Sequence, residues 1–314
     1  MIAFLFPGQG SQAIGMGKAV YEAFPEAKEV IDLVDDALNQ KLSTMMFDGS
    51  LEELSLTRNT QPALMAVSMA VFQVLKKHAS KDISDSYFAG HSLGEYSAHA
   101  AIETFALADT ARLLRIRGDA MQQAVPVGVG AMAALIGAGG IEQAEALCEL
   151  VSSRDAKCSV ANDNSAEQIV ISGHKTAIDQ AIAKAAEFGF RRALLLPVSA
   201  PFHCALMAPA ALVMEKALEP VATPETLHGK LIANVSCDLV STGDEAKALL
   251  VQQVIGRVRW RETIQSLTAR GVTQFVEVGS GKVLAGLVKR IVSDAAVVSV
   301  ETPADIEGVL KDIL

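Results

Sequence analysis

The sequence predicts an α/β protein with a largely parallel sheet. Strand-like and helix-like segments alternate along most of the 314 residues, which is typical of this class. Half of the residues are hydrophobic and 20% are charged, so the chain can bury a large core. One stretch, residues 128–197, has a different order of segments. A smaller unit is therefore expected within the larger one.

The elements of the larger unit follow from apolar runs and glycine turns. The opening strand, residues 2–6, runs into the turn PGQGSQ at residues 7–12. Helical stretches are expected over 17–39 and 62–78, the latter with Pro62 in its first turn. A short strand near 86–90 meets GHSLG, and helices follow near 93–101 and 107–123. The alternation resumes after about residue 204.

The stretch from 128 to 197 reads as strand, helix, two strands, helix and strand. This β-α-β-β-α-β order is the pattern of a ferredoxin-like module. Pro126 precedes it, Gly128 is its first residue, and Pro197 follows its last strand. We expect residues 128–197 to form a small subdomain inserted into a core made of residues 1–127 and 198–314.

Composition and charge exclude several functional classes. A formal charge of −9 argues against general nucleic-acid binding. No apolar run approaches the roughly 18 residues of a membrane span, and the first residues lack a signal peptide's basic and small-residue features. The four cysteines have no C-x-x-C spacing and read as reduced core thiols. We expect a cytoplasmic protein that binds neither nucleic acid nor membrane.

The first candidate for chemistry is Ser92, in the sequence Gly90-His91-Ser92-Leu93-Gly94. A G-x-S-x-G between a strand and a helix is typical of a nucleophile elbow. The serine lies on a sharp turn there, and side chains at the flanking glycines would collide with neighbouring backbone. The pattern is short enough to occur by chance, but its strand–turn–helix context favours a catalytic serine.

The opening glycine turn has two interpretations. Its G-x-G-x-x-A spacing fits a dinucleotide site, but Pro7 interrupts the strand and no acidic residue ends a second strand about 20 residues later. Acyl transfer at Ser92 instead needs two N–H donors for an oxyanion. The N–H groups of Leu93 and Gln9 can supply them, because glycines flank Gln9.

A base and an anion-binding residue complete the candidate set. Among six histidines, His203 follows a proline-containing loop and precedes a helix, although the residues alone do not single it out. Arg117 has apolar neighbours at helical spacing and is expected to be buried, where it needs an anion. That anion is either a core Asp or Glu or a group of the substrate.

Five ordered motifs reveal a family resemblance that covers the chain almost end to end. They are PGQGSQ at 7–12, GHSLGEYSA at 90–98, AN-x-N with QIVISG at 161–173, VSAPFHCALM at 198–207 and FVEVGSGKVLAGL at 275–287. The chain resembles the malonyl-CoA:acyl carrier protein transacylases, stand-alone bacterial acyltransferases of fatty-acid synthesis. The resemblance implies an α/β-hydrolase-like core with an inserted ferredoxin-like subdomain.

The resemblance also implies roles for individual residues. Ser92 would carry the acyl group, His203 would be its base, and the carbonyl region of Gln253 would orient that histidine, with Gln252 as the rival. Arg117 would bind the free carboxylate of the malonyl group. The implied reaction moves malonyl from malonyl-CoA to the phosphopantetheine thiol of acyl carrier protein through a malonyl-serine. No metal or redox cofactor is implied, and a monomer is expected.

Three other functions remain open at this point. An esterase or thioesterase would use the same elbow but transfer the acyl group to water. A carrier-binding module would bind the carrier protein without catalysis. The malonyl transferase of a malonate decarboxylase shares the sequence motifs. Residues 256–290 hold seven basic residues against Glu262 and Glu277. This excess could steer an acidic carrier protein or be a solvated face.

Overall fold

The computed structural model describes residues 1–198 and 200–314, so Ser199 of the SAPFH segment lies outside the described residues. Nine strands are present in this part of the chain: β1 Ile2–Phe6, β2 Tyr87–Gly90, β3 Gly130–Gly137, β4 Cys158–Ser165, β5 Gln168–His174, β6 Phe190–Leu195, β7 Lys230–Leu231, β8 Gln274–Val278 and β9 Ala296–Val300. They form two separate sheets.

Fourteen α-helices connect the strands in the same described ranges. They are α1 Lys18–Ala23, α2 Pro25–Leu38, α3 Leu42–Asp48, α4 Leu51–Leu54, α5 Thr57–His78, α6 Leu93–Ala101, α7 Leu107–Gln123, α8 Gly140–Val151, α9 Lys175–Lys184, α10 Ala208–Leu218, α11 Gly243–Ile255, α12 Trp260–Ala269, α13 Val283–Ile291 and α14 Pro303–Asp312. Short 3-10 helices cover Ala185–Phe188 and Ala205–Met207.

The larger sheet is parallel and has the strand order β7-β2-β1-β8-β9. Successive residues of β1 point to opposite faces, so Phe4 and Phe6 join one hydrophobic cluster while Ala3 and Leu5 join another. All four are fully buried. A parallel strand covered on both faces reads as a continuous apolar run, which is how β1 appears in the sequence.

The smaller sheet is antiparallel and has the order β4-β5-β3-β6, with α8 and α9 contributing to its own hydrophobic cluster. Its elements follow one another as β3, α8, β4, β5, α9 and β6, the β-α-β-β-α-β order that the sequence predicts. The α/β fold with a separate module is therefore confirmed. The placement of the domain boundaries at 128 and 197 stays a prediction.

Two predicted helices differ from the observed ones near prolines. The expected helix over 17–39 is two helices, because Pro25 begins α2 and Phe24 before it is extended, with φ −129° and ψ 124°. The expected helix over 62–78 begins earlier, at Thr57, and carries Pro62 inside it. The additional turns matter because they bring Gln61 to the cavity described below.

The described chain shows neither a membrane-spanning helix nor a disulfide bond. Within residues 1–198 and 200–314, no helix combines the length and the hydrophobicity needed to span a membrane. All four cysteines are buried and none forms a disulfide. The thiols therefore contribute to packing, as the composition indicates.

Candidate active site

The turn between β2 and α6 holds Ser92 in a strained conformation. Ser92 has φ 54° and ψ −110°, a backbone geometry that L-residues rarely adopt. A Cβ atom at Gly90 would overlap the backbone of Gly94, and one at Gly94 would overlap the carbonyl of Phe6. The two glycines therefore allow β2, the turn and α6 to pack closely and leave the Ser92 hydroxyl at the edge of the sheet.

The Ser92 hydroxyl is hydrogen-bonded to an imidazole. Its Oγ lies 2.8 Å from Nε2 of His203, and Nδ1 of His203 lies 2.9 Å from the backbone carbonyl oxygen of Gln253. That carbonyl accepts a hydrogen bond, so Nδ1 carries the proton and Nε2 is free to accept one. Burial and the nearby Arg117 charge lower the pKa of His203 to about 3, which keeps the ring neutral at ordinary pH.

Gln253, on α11, is the glutamine that reaches the site. Its side-chain Nε2 donates to the carbonyl of Ser92 at 3.0 Å, in addition to the backbone contact with His203. Gln252 instead lines a separate surface groove between α10 and α11. A one-residue step on a helix turns a side chain by about 100°, so the two neighbours point in different directions.

Gln9 and Leu93 lie beside Ser92 and line the same cavity. In the described part of the chain, the backbone N–H groups of both residues lack a hydrogen-bond acceptor. Leu93 begins α6, so its N–H is one of the unpaired donors at a helix N-terminus. A Cβ atom at Gly8 would lie 2.7 Å from the carbonyl oxygen of His91, so only glycine lets the opening turn approach the elbow this closely.

Arg117 of α7 is 1% exposed and its guanidinium contacts the Ser92 hydroxyl. Its Nη2 donates to Ser92 Oγ at 3.1 Å and to Gln253 Oε1 at 2.9 Å, while its Nη1 donates to Gln61 Oε1 at 2.7 Å. Its Nε has no partner among the described residues. Nor does any described carboxylate lie within 4.0 Å of the guanidinium. Arg117 is thus a buried cation surrounded by neutral oxygens.

A cavity of about 240 Å³ connects these groups. Ser92, His203 and Arg117 are among the polar residues that line it. Apolar side chains from the smaller sheet and from the loop after it form one wall, and α13 forms another: Met132, Ala134, Val170, Leu196, Phe202 and Leu287. Strands of the smaller sheet line it together with the turns that follow β1 and β2 and with helices packed on the larger sheet, so the cavity lies between the smaller sheet and the rest of the chain. Such a cleft suits a small anionic acyl group with a longer apolar or polar tail.

Comparison with known proteins identifies the family. The acyl transferase domain model matches residues 3–305. The malonyl CoA-acyl carrier protein transacylase of Bacillus subtilis is 43% identical over 312 residues, which cover 99% of this chain and 97% of that protein. The chain belongs to the malonyl-CoA:acyl carrier protein transacylase family. Its membership confirms the predicted resemblance and the predicted acyltransferase class.

Solved structures of transacylases agree with the fold. The acyl-carrier-protein S-malonyltransferase of Bartonella henselae is 52% identical and has a TM-score of 0.95, with 99% of this chain and 98% of that chain covered. A second solved structure is a malonyl-transacylase in complex with its type II polyketide synthase acyl carrier protein. It is 38% identical and has a TM-score of 0.94, and the alignment covers 99% of this chain and 99% of that chain. The α/β architecture is therefore shared with transacylases of known structure.

Four site residues were not found from the sequence. Gln61 contacts Arg117, Asn164 Oδ1 lies 2.8 Å from His91 Nε2, Asn234 accepts from the backbone N–H of Ser92, and Glu95 accepts from the backbone N–H of Asn234. They come from four separate segments. Asn164 and Glu95 do lie within transacylase motifs. The only other feature that marks the four residues as site residues is that they are polar and buried. The sequence cannot reveal that burial before the fold is known.

The described residues, 1–198 and 200–314, contain no group of three or more His, Cys, Asp or Glu side chains placed to hold a metal ion. The hydrogen-bonded group in the cavity consists of the Ser92 hydroxyl, the neutral imidazole of His203 and the guanidinium of Arg117. These groups suit acyl transfer to and from a serine.

Proposed function

We propose that this protein transfers the malonyl group from malonyl-CoA to the phosphopantetheine thiol of acyl carrier protein, and so supplies fatty-acid chain elongation. The observation that carries the proposal is the pairing of Arg117 with Ser92. A buried guanidinium without a carboxylate partner lies 3.1 Å from the nucleophile. A malonyl ester on Ser92 would bring its free carboxylate to this cation, and a bidentate pair would form there.

In the first step, the Ser92 oxygen attacks the thioester carbon of malonyl-CoA and its proton passes to Nε2 of His203. The N–H groups of Gln9 and Leu93 stabilise the oxyanion that develops; the loss of one such donor typically costs about 3–4 kcal/mol. The carbon–sulfur bond then breaks, and the proton on His203 moves to the sulfur of the departing CoA. Malonyl remains as an ester on Ser92.

In the second step, the carrier's phosphopantetheine thiol gives its proton to His203 and attacks the ester carbon. The carbon–oxygen bond breaks, Ser92 recovers its proton, and malonyl leaves on the carrier. We assign Gln253 to orienting the imidazole through its backbone carbonyl. No metal or redox group takes part in either step.

The malonyl carboxylate also helps the base. Arg117 is one of the two main causes that lower the pKa of His203. A carboxylate bound to Arg117 neutralises that charge and makes the imidazole more basic when the proton must be taken. An acetyl group brings no carboxylate, so it would gain neither the ion pair nor the stronger base.

The neutral surroundings of Arg117 favour this function over an esterase or thioesterase, whose acyl group needs no buried cation. An intact nucleophile and base disfavour a carrier-binding module without chemistry. The malonyl transferase of a malonate decarboxylase would use the same site and differs only in its carrier. We assign the transacylase function because the relatives similar over the whole chain carry that name. The two-part division at 128 and 197, a monomeric state and a cytoplasmic location belong to the same proposal.

The carrier would dock at α13, beside the cavity. Of the seven basic residues between 256 and 290, four pair with carboxylates: Arg257 with Glu145, Arg259 with Glu262, Arg261 with Asp163 and Arg270 with Asp238. The other three, Lys282, Lys289 and Arg290, have no described carboxylate within 4.0 Å. All three are exposed on or next to α13, whose Val283, Leu284 and Leu287 line the cavity.

The proposal is tested by intact-protein mass spectrometry after mixing with malonyl-CoA, before and after addition of holo acyl carrier protein. We expect one malonyl group on the wild type, its transfer to the carrier, and no adduct on Ser92→Ala. Ser97→Ala is the matched control, since Ser97 is a serine buried within the helix that follows Ser92 and its hydroxyl has no partner among the described residues. Release of malonate without transfer would instead identify a hydrolase.

A further inference from the structure

Glu95 is a fully buried carboxyl in the first turn of α6, three residues after the nucleophile. Its Oε2 accepts two hydrogen bonds, one from the backbone N–H of Asn234 at 3.0 Å and one from Gln253 Nε2 at 2.8 Å. Its Oε1 has no partner among the described residues. No step proposed above uses this carboxyl, and a buried acid with one unpaired oxygen requires an explanation.

Both partners of Glu95 hold the nucleophile directly. Asn234 Oδ1 accepts from the backbone N–H of Ser92 at 2.8 Å, and Asn234 Nδ2 donates to the carbonyl of Gly90 at 2.7 Å. Gln253 Nε2 donates to the carbonyl of Ser92 at 3.0 Å. Glu95 therefore lies one hydrogen bond away from two groups that fix the elbow on either side of Ser92.

Gln253 also connects Glu95 to Arg117. The Nε2 of this amide donates to Glu95, and its Oε1 accepts from Arg117 Nη2 at 2.9 Å. The other titratable groups on its own helix are Tyr96 and His99, and the site adds His91 and His203. Burial lowers the pKa of all three histidines and raises the pKa of Tyr96 to about 12, so these four groups are neutral near pH 7. Arg117 is therefore the charged group that Glu95 faces in the described chain.

We propose that Glu95 is a positioning residue whose charge is coupled to the carboxylate that Arg117 binds. The inference rests on the proposed malonyl transfer at Ser92. In the free protein, ionised Glu95 balances the guanidinium through the Gln253 amide. A malonyl carboxylate brings a second negative charge to the same guanidinium, so ionised Glu95 opposes it and neutral Glu95 does not. Malonyl binding is then accompanied by proton uptake at Glu95.

The hydrogen bonds allow this change of charge without a change of geometry. Because Oε2 accepts both bonds, an added proton resides on Oε1, and the contacts to Asn234 and Gln253 persist. Burial raises the pKa of Glu95 to about 7, against the opposing effects of these two bonds and of Arg117, so both forms are accessible near neutral pH. A glutamine at position 95 would keep an acceptor at the Oε2 position and match the shape of the protonated acid.

The direction of the pH effect follows from linkage. An added negative charge raises the pKa of Glu95 in the bound state above its value in the free state, so binding takes up protons. Affinity for the malonyl group is then highest below the free-state pKa and falls as pH rises through it toward the bound-state pKa. The affinity for the malonyl group decreases at most tenfold for each unit by which the pKa of Glu95 in the bound state exceeds its pKa in the free state.

The test measures KM and kcat for acylation from malonyl-N-acetylcysteamine and acetyl-N-acetylcysteamine thioesters between about pH 6 and about pH 9. These substrates lack the phosphates of CoA, and only the malonyl compound carries a carboxylate. For the wild type we expect the malonyl KM to rise about tenfold across this range while the acetyl KM stays level. For Glu95→Gln we expect the malonyl KM to stay near the low-pH wild-type value throughout.

Other outcomes separate the possible failures. Parallel malonyl profiles in the wild type and Glu95→Gln would overturn the coupling, as would equal pH dependence of malonyl and acetyl in the wild type. The second comparison needs no variant and holds even if Glu95→Gln does not fold. Glu95→Ala removes the acceptor itself and should lower kcat for both substrates. A wild type that forms no malonyl-serine at any pH would instead refute the proposed function.

Discussion

Arg261 and Arg117 both extend from helices toward buried polar side chains, but only Arg261 contacts a carboxylate. Arg261 of α12 donates from Nε and Nη2 to the carboxylate of Asp163, with Nη2 2.9 Å from Oδ2. Asp163 is fully buried on β4, at the junction where β4 also bonds to the backbone of Val258. Arg117 is instead surrounded by neutral groups, namely amide oxygens, the Ser92 hydroxyl and the ring of Tyr96, whose centroid lies 5.5 Å from Cζ.

The difference distinguishes a structural ion pair from a binding site. The Arg261–Asp163 pair joins two parts of the fold and leaves neither charge free for a ligand. Arg117 has no carboxylate in direct contact among the described residues, and because a buried cation is costly without one, we propose that a bound carboxylate completes the pair there. The same criterion applies at the surface, where basic residues without a carboxylate partner are the ones whose charge is available to another protein.

The largest effect is expected at Arg117. Arg117→Ala should lower kcat/KM for malonyl transfer by about 100-fold or more, since a charge-assisted bidentate pair is lost. Acetyl transfer should improve relative to malonyl, because the carboxylate preference disappears. The measurement is kcat/KM for malonyl-CoA and acetyl-CoA with holo carrier protein.

Arg112→Ala serves as the control on the same helix, because Arg112 is exposed and paired with Asp109. It should leave both substrates unaffected. Arg117→Lys is informative too, as it keeps the charge but loses the planar fork and should recover only part of the malonyl activity. Unchanged selectivity in Arg117→Ala would contradict the assignment of this residue to the malonyl carboxylate.

The opposite pattern is expected at Arg261. Arg261→Met leaves Asp163 buried without its partner and should lower the free energy of unfolding by about 3 kcal/mol. Removal of both charges in Arg261→Met with Asp163→Leu should recover most of that loss. Urea unfolding followed by circular dichroism measures both values. Arg117→Met should change the free energy of unfolding far less. An equal decrease of this free energy in Arg261→Met and Arg117→Met would contradict the distinction between a structural ion pair and a binding residue.

The smallest effect is expected at the surface of α13. Lys289→Gln with Arg290→Gln should raise KM for the carrier protein about threefold at low salt and leave KM for malonyl-CoA unchanged, since exposed charges contribute modestly and mainly to association. Arg270→Gln is the control within the same stretch, because Arg270 is already paired with Asp238. A similar rise of KM in the control would show that the stretch does not act through its unpaired residues.

Much of the fold could be predicted because its signals are local. The apolar run of β1, the glycine turn and the β-α-β-β-α-β order of the module each depend on residues close together in the sequence. The errors arose at prolines, where Pro25 divides a helix and Pro62 is accepted inside one. A proline can begin a helix or lie within one, and only the packing of its neighbours decides between the two.

The site was predictable only to the extent that its residues lie in motifs. The G-x-S-x-G elbow points to Ser92 on physical grounds, and Arg117 stands out as a cation on an apolar helix face. His203 and Gln253 came from family resemblance. Gln61 and Asn234 have no distinctive neighbours, and their contacts join segments far apart in the chain, Asn234 bonding to Ser92 across 142 positions.

The sequence by itself determined the fold class, the elbow and the acyltransferase family, because each depends on residue types at short, fixed spacings. Only the tertiary structure decided that Arg117 lacks a carboxylate partner, that Gln253 rather than Gln252 faces His203, and that Glu95 joins the elbow to Arg117 through an amide. The physical reason is that the charge state and strength of a buried group depend on what surrounds it in space. Chain order does not specify those surroundings until the strands and helices have packed.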